Sequence, residues 1–491
     1  MIIALALRHL LVRPGRAALL LLGYALGVAV MIVLLSIGDA MLDQSRDVPL
    51  IGGGDLTALP HGIDIEAMRT GGLAGMFFGI DGARFVSREL LGGPRHRAMV
   101  DAVSPEVTQK LVEVRVHDTT WAVRAAGNIP SEAAAAGAGL RILSGRWVDD
   151  SADLEWIAPT REALYDGIDR FHRPPPDASD WAEWDYFNVV VSPAEWWYVT
   201  LLVGAENPSG SRGEILVTHR RPDGGYQRFQ TITTDSIRID TAHAALTVGS
   251  SSVSQHDGVY DVHGHAGAAT FQFSLHPRPH HYFPPVELGH DSIPSGYAVA
   301  ALAGTASGKF CTAGSCTVVV DRPAYHDHNW GEWRAATWEW GMGHGTSHDL
   351  LYGGIIVAEQ PGAVPFFLLL DDSIGLEQTY RFRSVTRIGS HHAAGIEGVE
   401  APDSLRILAT RTGDSLVITI AVIDAVASRS APAGKDRAFL QMRGRWRAHG
   451  TAAGAAVADS GSGFFETWVP LASAPTTRLK PASHDNGARD H

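Results

Sequence analysis

The stretch from Trp181 to Val469 constrains the fold more than any other part of the chain. Glu195–Leu202, Glu214–Thr218, Tyr226–Ile232, Ser236–Val248 and Ala268–Leu275 are short runs rich in β-branched and aromatic residues. Trp338–Met342, Leu350–Ala358, Pro365–Leu370, Tyr380–Val385, Leu405–Thr410, Leu416–Val422, Ala438–Trp446 and Phe464–Val469 continue the series. Turn sequences such as Pro222-Asp223-Gly224-Gly225 punctuate them. Many strands at short spacing, with few helical segments, predict sandwiches or barrels. Their number suits two barrel-like halves, in a chain whose 491 residues fit two or three domains.

Within this region Tyr325-His326-Asp327-His328-Asn329-Trp330-Gly331 concentrates polar and aromatic groups that are costly to bury unless each finds a partner. Side chains of a strand alternate faces. Tyr325, Asp327 and Asn329 therefore share one face, and His326, His328 and Trp330 the other. Two readings are open. His326 and His328 could bind zinc with a third ligand, and His276, His280, His281, His290, His344 and His348 supply further imidazoles nearby in sequence. Alternatively, Asp327 is either a buried acid or a structural carboxylate held by hydrogen bonds. A second cluster, Glu195-Trp196-Trp197-Tyr198, sets a carboxylate beside three aromatic rings, as either core or ligand wall.

The net charge of −13 is spread along the chain, which argues against nucleic acid as a partner. Cys311 and Cys316 flank the loop of a predicted hairpin. They can form a disulfide in an oxidising compartment or remain free thiols; two cysteines alone do not close a zinc shell. No Gly-x-Ser-x-Gly elbow, P-loop or Rossmann fingerprint is present.

Ala17 to Ile37 contains no charged residue, follows Arg8, Arg13 and Arg16, and precedes Asp39 and Asp43. About 20 such residues cross a bilayer. The charge bias predicts a single-pass anchor in the cytoplasmic membrane, with the bulk of the chain on the periplasmic side. The competing reading is a cleaved signal peptide. Residues 1–38 are thus an interfacial segment plus anchor, 39–150 a small α+β segment, and 151–180 a Pro- and Asp-rich linker with a helix near Pro159–Ile168. A hairpin is expected at Leu111–Val116 and Trp121–Ala125, and a helix at Ser131–Leu140. The Arg-flanked helix, Gly54–Pro60, Ala126–Pro130 and Leu143–Arg146 resemble the front end of MacB-like ABC transporter permeases. That resemblance implies docking to permease and ATPase subunits. The chain shows no further long hydrophobic run with which to form a translocation path.

The order Glu195–Tyr198, then Tyr-x-Asp-x-Asn-Trp-Gly at 325–331, then Gly461–Glu466, resembles the lipocalin-like carotenoid 1,2-hydratase/AttH family over roughly residues 180–470. Trp338–Trp340 and Asp349–Tyr352 fit the strand pair after the central motif. The resemblance implies two consecutive lipocalin-like β-barrels, at 181–310 and 311–472, with a hydrophobic pocket at or near their junction and a tail at 473–491. It implies chemistry at Asp327 and Tyr325, and no metal or other cofactor. It also leads us to expect ligand contacts from Glu195, Trp196, Trp197, Tyr198, His326, His328, Asn329, Trp330 and Trp338. Hydratases of the family carry a His-x-Trp element about one strand before Tyr-x-Asp; here that stretch is Ser295–Ala300, which has neither residue. The leading expectation is a membrane-anchored protein that binds a long lipid or isoprenoid ligand beside an ABC-type export system. The alternative is a hydratase, isomerase or cyclase with Asp327 as general acid and Tyr325 assisting.

Overall fold

The computed structural model describes residues 14–15, 18–19, 22–33, 80–117, 119–137, 148–173, 180–207, 210–287, 295–333, 336–357, 366–429 and 437–471. Two units divide the chain. In the smaller, Glu106–Val116 and Thr119–Asn128 pair as an antiparallel hairpin, followed by the short helix Pro130–Ala135. Residues 22–33 are helical, but the full stretch 17–37 lies only partly inside the described residues. Among the described residues, no helix is long and apolar enough to cross a membrane. Of the permease-like segments, 54–60 and 143–146 lie outside the described residues, as do His290 and the tail at 473–491.

The larger unit is mainly β. Its first sheet runs, in spatial order, Tyr226–Thr233, Gly210–Arg220, Glu195–Asn207, Trp181–Ser192, Ser315–Glu332, Gly296–Thr312, Ala269–Pro277, Val259–Ala266, Ser251–His256, Ala245–Val248 and Ile237–Asp240. The two ends of this path do not hydrogen-bond to each other, so it forms an open half-barrel. The second sheet closes. Gly375–Phe382 leads through Phe366–Asp372, Asp349–Val357, Ala336–Gly345, Ala455–Pro470, Arg437–Ala452 and Asp414–Ser428 to Ser404–Arg411, which returns to the first strand through Arg381 and Thr410. One closed barrel and one half-barrel thus stand where two barrels were expected.

The chain passes from the first sheet to the second after Glu332, not at 310/311. The reason is the long hairpin Gly296–Thr312/Ser315–Glu332, whose second arm also pairs with Trp181–Ser192, so the 325–331 motif belongs to the first sheet. Cys311 and Cys316 face each other near the tip of that hairpin and are disulfide-bonded.

Apolar side chains fill the inside of each sheet. Phe187, Trp197, Tyr260, Phe273 and Phe310 lie in the first core, and Tyr352, Leu405, Ile418, Trp446 and Phe465 in the second. The segment expected as a linker contributes to the first core. Helix Arg161–Asp169 is capped by Thr160, whose side chain accepts from the Ala163 N–H, and it delivers Tyr165, Ile168 and then Phe171 to the inner face. A third cluster, with Trp196, Tyr198, Tyr297, Tyr325, Trp340, Met342 and Phe464, joins the outer faces of the two sheets.

Candidate active site

An aromatic cavity of the larger unit lies in that junction and not inside either sheet. Strand register explains its floor. Outward-facing residues of the first sheet form cross-strand rows: Tyr325–Asn188–Tyr198–Thr218–Arg228, then Asp327–Tyr186–Thr200–Leu216, then Asn329–Trp184–Leu202. Most of these residues line a cavity of about 240 Å³, and Trp338, Trp340, Phe367, Phe439, Gln441 and Glu466 of the second sheet form the opposite wall. An aromatic cavity with a few convergent polar groups is the usual form of a small-molecule site.

The polar groups converge on Asp327, which is 2% exposed. The Tyr325 hydroxyl donates to Asp327 Oδ2 at 2.8 Å, and Asn329 Nδ2 donates to Oδ1 at 3.0 Å. Tyr297 Oη lies 2.6 Å from Tyr325 Oη and 3.2 Å from Asp327 Oδ2, while accepting from Trp340 Nε1 at 3.2 Å. Tyr297 sits in the Ser295–Ala300 stretch where the family's His-x-Trp was missing, so a phenol occupies the strand position facing the acid. Burial pushes the Asp327 carboxyl up to about 7; the hydrogen bonds from Tyr325, Tyr297 and Asn329 and the charge of His326 oppose it without cancelling it. Both phenols are pushed well above 10, chiefly by burial, and remain hydrogen-bond donors.

A second carboxyl faces the same space. Glu466 accepts from Trp338 Nε1 at 3.0 Å and Gln441 Nε2 at 3.1 Å. Burial, reinforced by the charge of Asp327, raises it to about 7 despite these bonds. Two carboxyls titrating near neutrality in one low-dielectric space favour a state with one proton between them, an acid beside a base. Glu339 also borders the cavity, but Arg387 and Thr467 hold it.

The opposite face of the motif has a different environment. His326 and His328 are fully buried inside the first sheet. His326 Nε2 lies 2.8 Å from Asp169 Oδ2, and His328 Nε2 lies 3.0 Å from Glu183 Oε1. Their Nδ1 atoms meet the carbonyls of Tyr186 and Asp169, each at 3.1 Å. Burial disfavours both imidazoliums, yet the neighbouring carboxylates raise both pKa values. Burial and the adjacent Asp169 lift Asp185 to about 8, leaving it protonated. The carboxylates of Asp169 and Glu183 thus favour the protonated form of both rings. His172, Glu183 and His328, and likewise Asp169, Asp185 and His326, lie as close together as cation ligands would. In each group a histidine already meets a carboxylate directly, so the side chains form a buried hydrogen-bonded network as they stand.

Among the expected ligand contacts, Tyr198, Asn329 and Trp338 line the cavity together with Asp327. Tyr325 stands behind Asp327. Trp196 packs in the junction cluster. Trp197 points into the first core, stacked on His219 at 3.8 Å and beside Phe310. Glu195 is taken up by His219 and Thr317. Trp330 stacks on His172 at 4.2 Å, inside the sheet with His326 and His328. Alternation puts Glu195 and Trp197, and the even-numbered residues of the central motif, on the inner face. Tyr297, Trp340, Glu466 and Arg228 line the cavity without having been singled out for it; the first three stood in the Ser295–Ala300, Trp338–Trp340 and Gly461–Glu466 stretches, and Arg228 carried no signal.

Gly331 closes the motif for a steric reason. Its φ of +132° lies in the glycine region, and a Cβ there would meet Ser295 Oγ at 2.3 Å and Ser295 Cα at 2.5 Å. Gly331→Ala is expected to destabilise the fold by about 1–3 kcal/mol, measured as a lowered denaturation midpoint.

No protein-family model matches the chain, and no curated protein matches it. Among solved structures it is similar to a protein provisionally named AttH from Nitrosomonas europaea, at 17% identity and a TM-score of 0.43 over 60% of this chain and 96% of that one. It is similar to CghA at 10% identity and a TM-score of 0.46, over 62% and 95% of the two chains. Kievitone hydratase from Nectria haematococca aligns at 12% identity and a TM-score of 0.41, over 60% and 90%.

Proposed function

We propose that the chain is an acid–base enzyme that hydrates, isomerises or cyclises an unsaturated apolar substrate in the junction cavity. The observation that carries this reading is the buried Asp327 carboxyl, held by Tyr325, Tyr297 and Asn329 against an aromatic cavity, where burial pushes its pKa up to about 7. Protonating an isolated C=C needs a positioned acid that still holds its proton near neutrality. Asp327 gives that proton to one alkene carbon. The faces of Trp338, Trp340, Tyr186 and Tyr198 stabilise the cationic centre that develops. In hydration, water attacks the cation and Glu466 takes the proton that water loses. In isomerisation, Glu466 instead removes a proton from the neighbouring carbon. Either way Asp327 ends ionised and Glu466 protonated, and exchange with solvent resets them.

The pH profile tests this assignment. Turnover of unsaturated isoprenoid and fatty-acyl probes is expected to be bell-shaped around neutrality. It falls at high pH as Asp327 loses its proton, and at low pH as Glu466 gains one. Glu466→Gln should remove the acidic limb together with most of the water addition. A flat profile from pH 5 to 9 would sink the pairing.

Tethering to a membrane through 17–37, outside the cytoplasm and beside an export permease and its ATPase, belongs to the same reading and rests on the sequence alone. Sedimentation of the full chain with membranes, and its protection from or exposure to added protease, tests that part.

A further inference from the structure

Three acids and one base line the cavity: Asp327, Glu339, Glu466 and Arg228. Arg228 is exposed, in the strand Tyr226–Thr233. The other arginines around this hairpin are engaged: Arg212 with Glu214, Arg220 with Asp424, and Arg221 with Asp223. Among the described residues Arg228 has no ion-pair partner. A free guanidinium on the wall of an apolar cavity, in a chain of net charge −13, is suited to an anionic group on the ligand.

Register fixes how far that group sits from the chemistry. Arg228 pairs with Thr218, Thr218 with Tyr198, Tyr198 with Asn188, and Asn188 with Tyr325. Four strand spacings of about 4.8 Å put Arg228 roughly 19 Å from Tyr325 along the sheet, and Asp327 one row further over. The surface between carries Thr200, Leu216, Leu202 and the rings of Tyr198, Tyr186 and Trp184, with no second cation. We infer that the substrate is a long unsaturated chain with an anionic head, carboxylate or phosphate, clamped at Arg228 while its remote double bond reaches Asp327. The inference rests on the junction cavity being the substrate site.

The test uses oleate, oleyl phosphate and oleyl alcohol, titrated below their aggregation concentrations against the tryptophan fluorescence of the full chain. The anions are expected to bind about tenfold tighter than the alcohol, the size of one charge-assisted hydrogen bond. Arg228→Gln erases that gap, leaves alcohol binding unchanged, and leaves the melting temperature unchanged because the side chain is exposed. Arg228→Lys keeps part of the gap. A gap for only one anion identifies the head group. Equal binding of all three, or a gap that survives Arg228→Gln, overturns the clamp while leaving the cavity reading intact. Binding of none overturns both.

Discussion

Asp327→Asn is expected to lower turnover by about 10²–10⁴-fold, the usual contribution of a positioned general acid, while apolar-ligand affinity stays within a few-fold. Asn keeps the volume of Asp and still accepts from the Tyr325 hydroxyl, so the network of Tyr297, Tyr325 and Trp340 around it retains its shape. What it removes is the proton that can move. Tyr325→Phe separates positioning from acidity. It deletes one donor to the carboxylate, so the Asp327 pKa rises further and the alkaline limb of the pH profile moves up. A variant that loses affinity and turnover in equal proportion would instead assign Asp327 to ligand binding.

Asp169→Ala is expected to be the most destabilising of these substitutions, at about 3–5 kcal/mol, because it leaves buried imidazoliums without their counter-charge. Asp169 is 1% exposed at the end of helix Arg161–Asp169, and it meets His326 through a carboxylate oxygen and His328 through its carbonyl and carboxylate. Burial alone would raise its pKa, yet the two histidines hold it well below the usual carboxylate range. Its contribution to stability is therefore present above the unfolded carboxylate value near 4 and is lost as pH falls through the depressed folded value. His326 and His328 run the other way: with folded pKa values above 6.5, their contribution is complete below 6.5 and disappears as pH rises through those values. Thermal melts from pH 2 to 10 follow both limbs, the acid one below about 4 and the histidine one above 6.5. A variant as stable as the parent would mean that the histidines are neutral in the fold.

Strand alternation was the most legible part of the site. Period two is rigid, so the division of residues 325–331 into a Tyr/Asp/Asn face and a His/His/Trp face follows directly from the sequence. Which face meets the cavity was not legible, because both carry ionisable and aromatic groups. The inner one is decided by Asp169 and Glu183, acids whose place beside the histidines comes from a helix docking into the sheet and from long-range register. For the same reason Trp197 reads equally well as ligand wall or core until Phe310 and His219 are seen stacked on it. Tyr297 reaches Asp327 from the paired arm of the hairpin, and Glu466 faces the same cavity from a strand of the second sheet far away in sequence. The all-β architecture was legible from run length and turns. Closure was not, because it depends on one backbone bridge, Arg381 with Thr410, and on the Arg411 side chain reaching Thr379, between strands that sequence alone does not pair.

The central claim is that Asp327 delivers a proton to carbon in the junction cavity. Incubating the protein with an unsaturated probe that it binds, in D₂O, and reading carbon-bound deuterium in the recovered material by mass spectrometry tests this most directly. The account predicts deuterium gained at carbon with the wild-type chain and none above background with Asp327→Asn. Tight binding of the probe by the wild type without any deuterium at carbon would contradict it and leave a carrier; equal incorporation by wild type and Asp327→Asn would remove Asp327 from the chemistry.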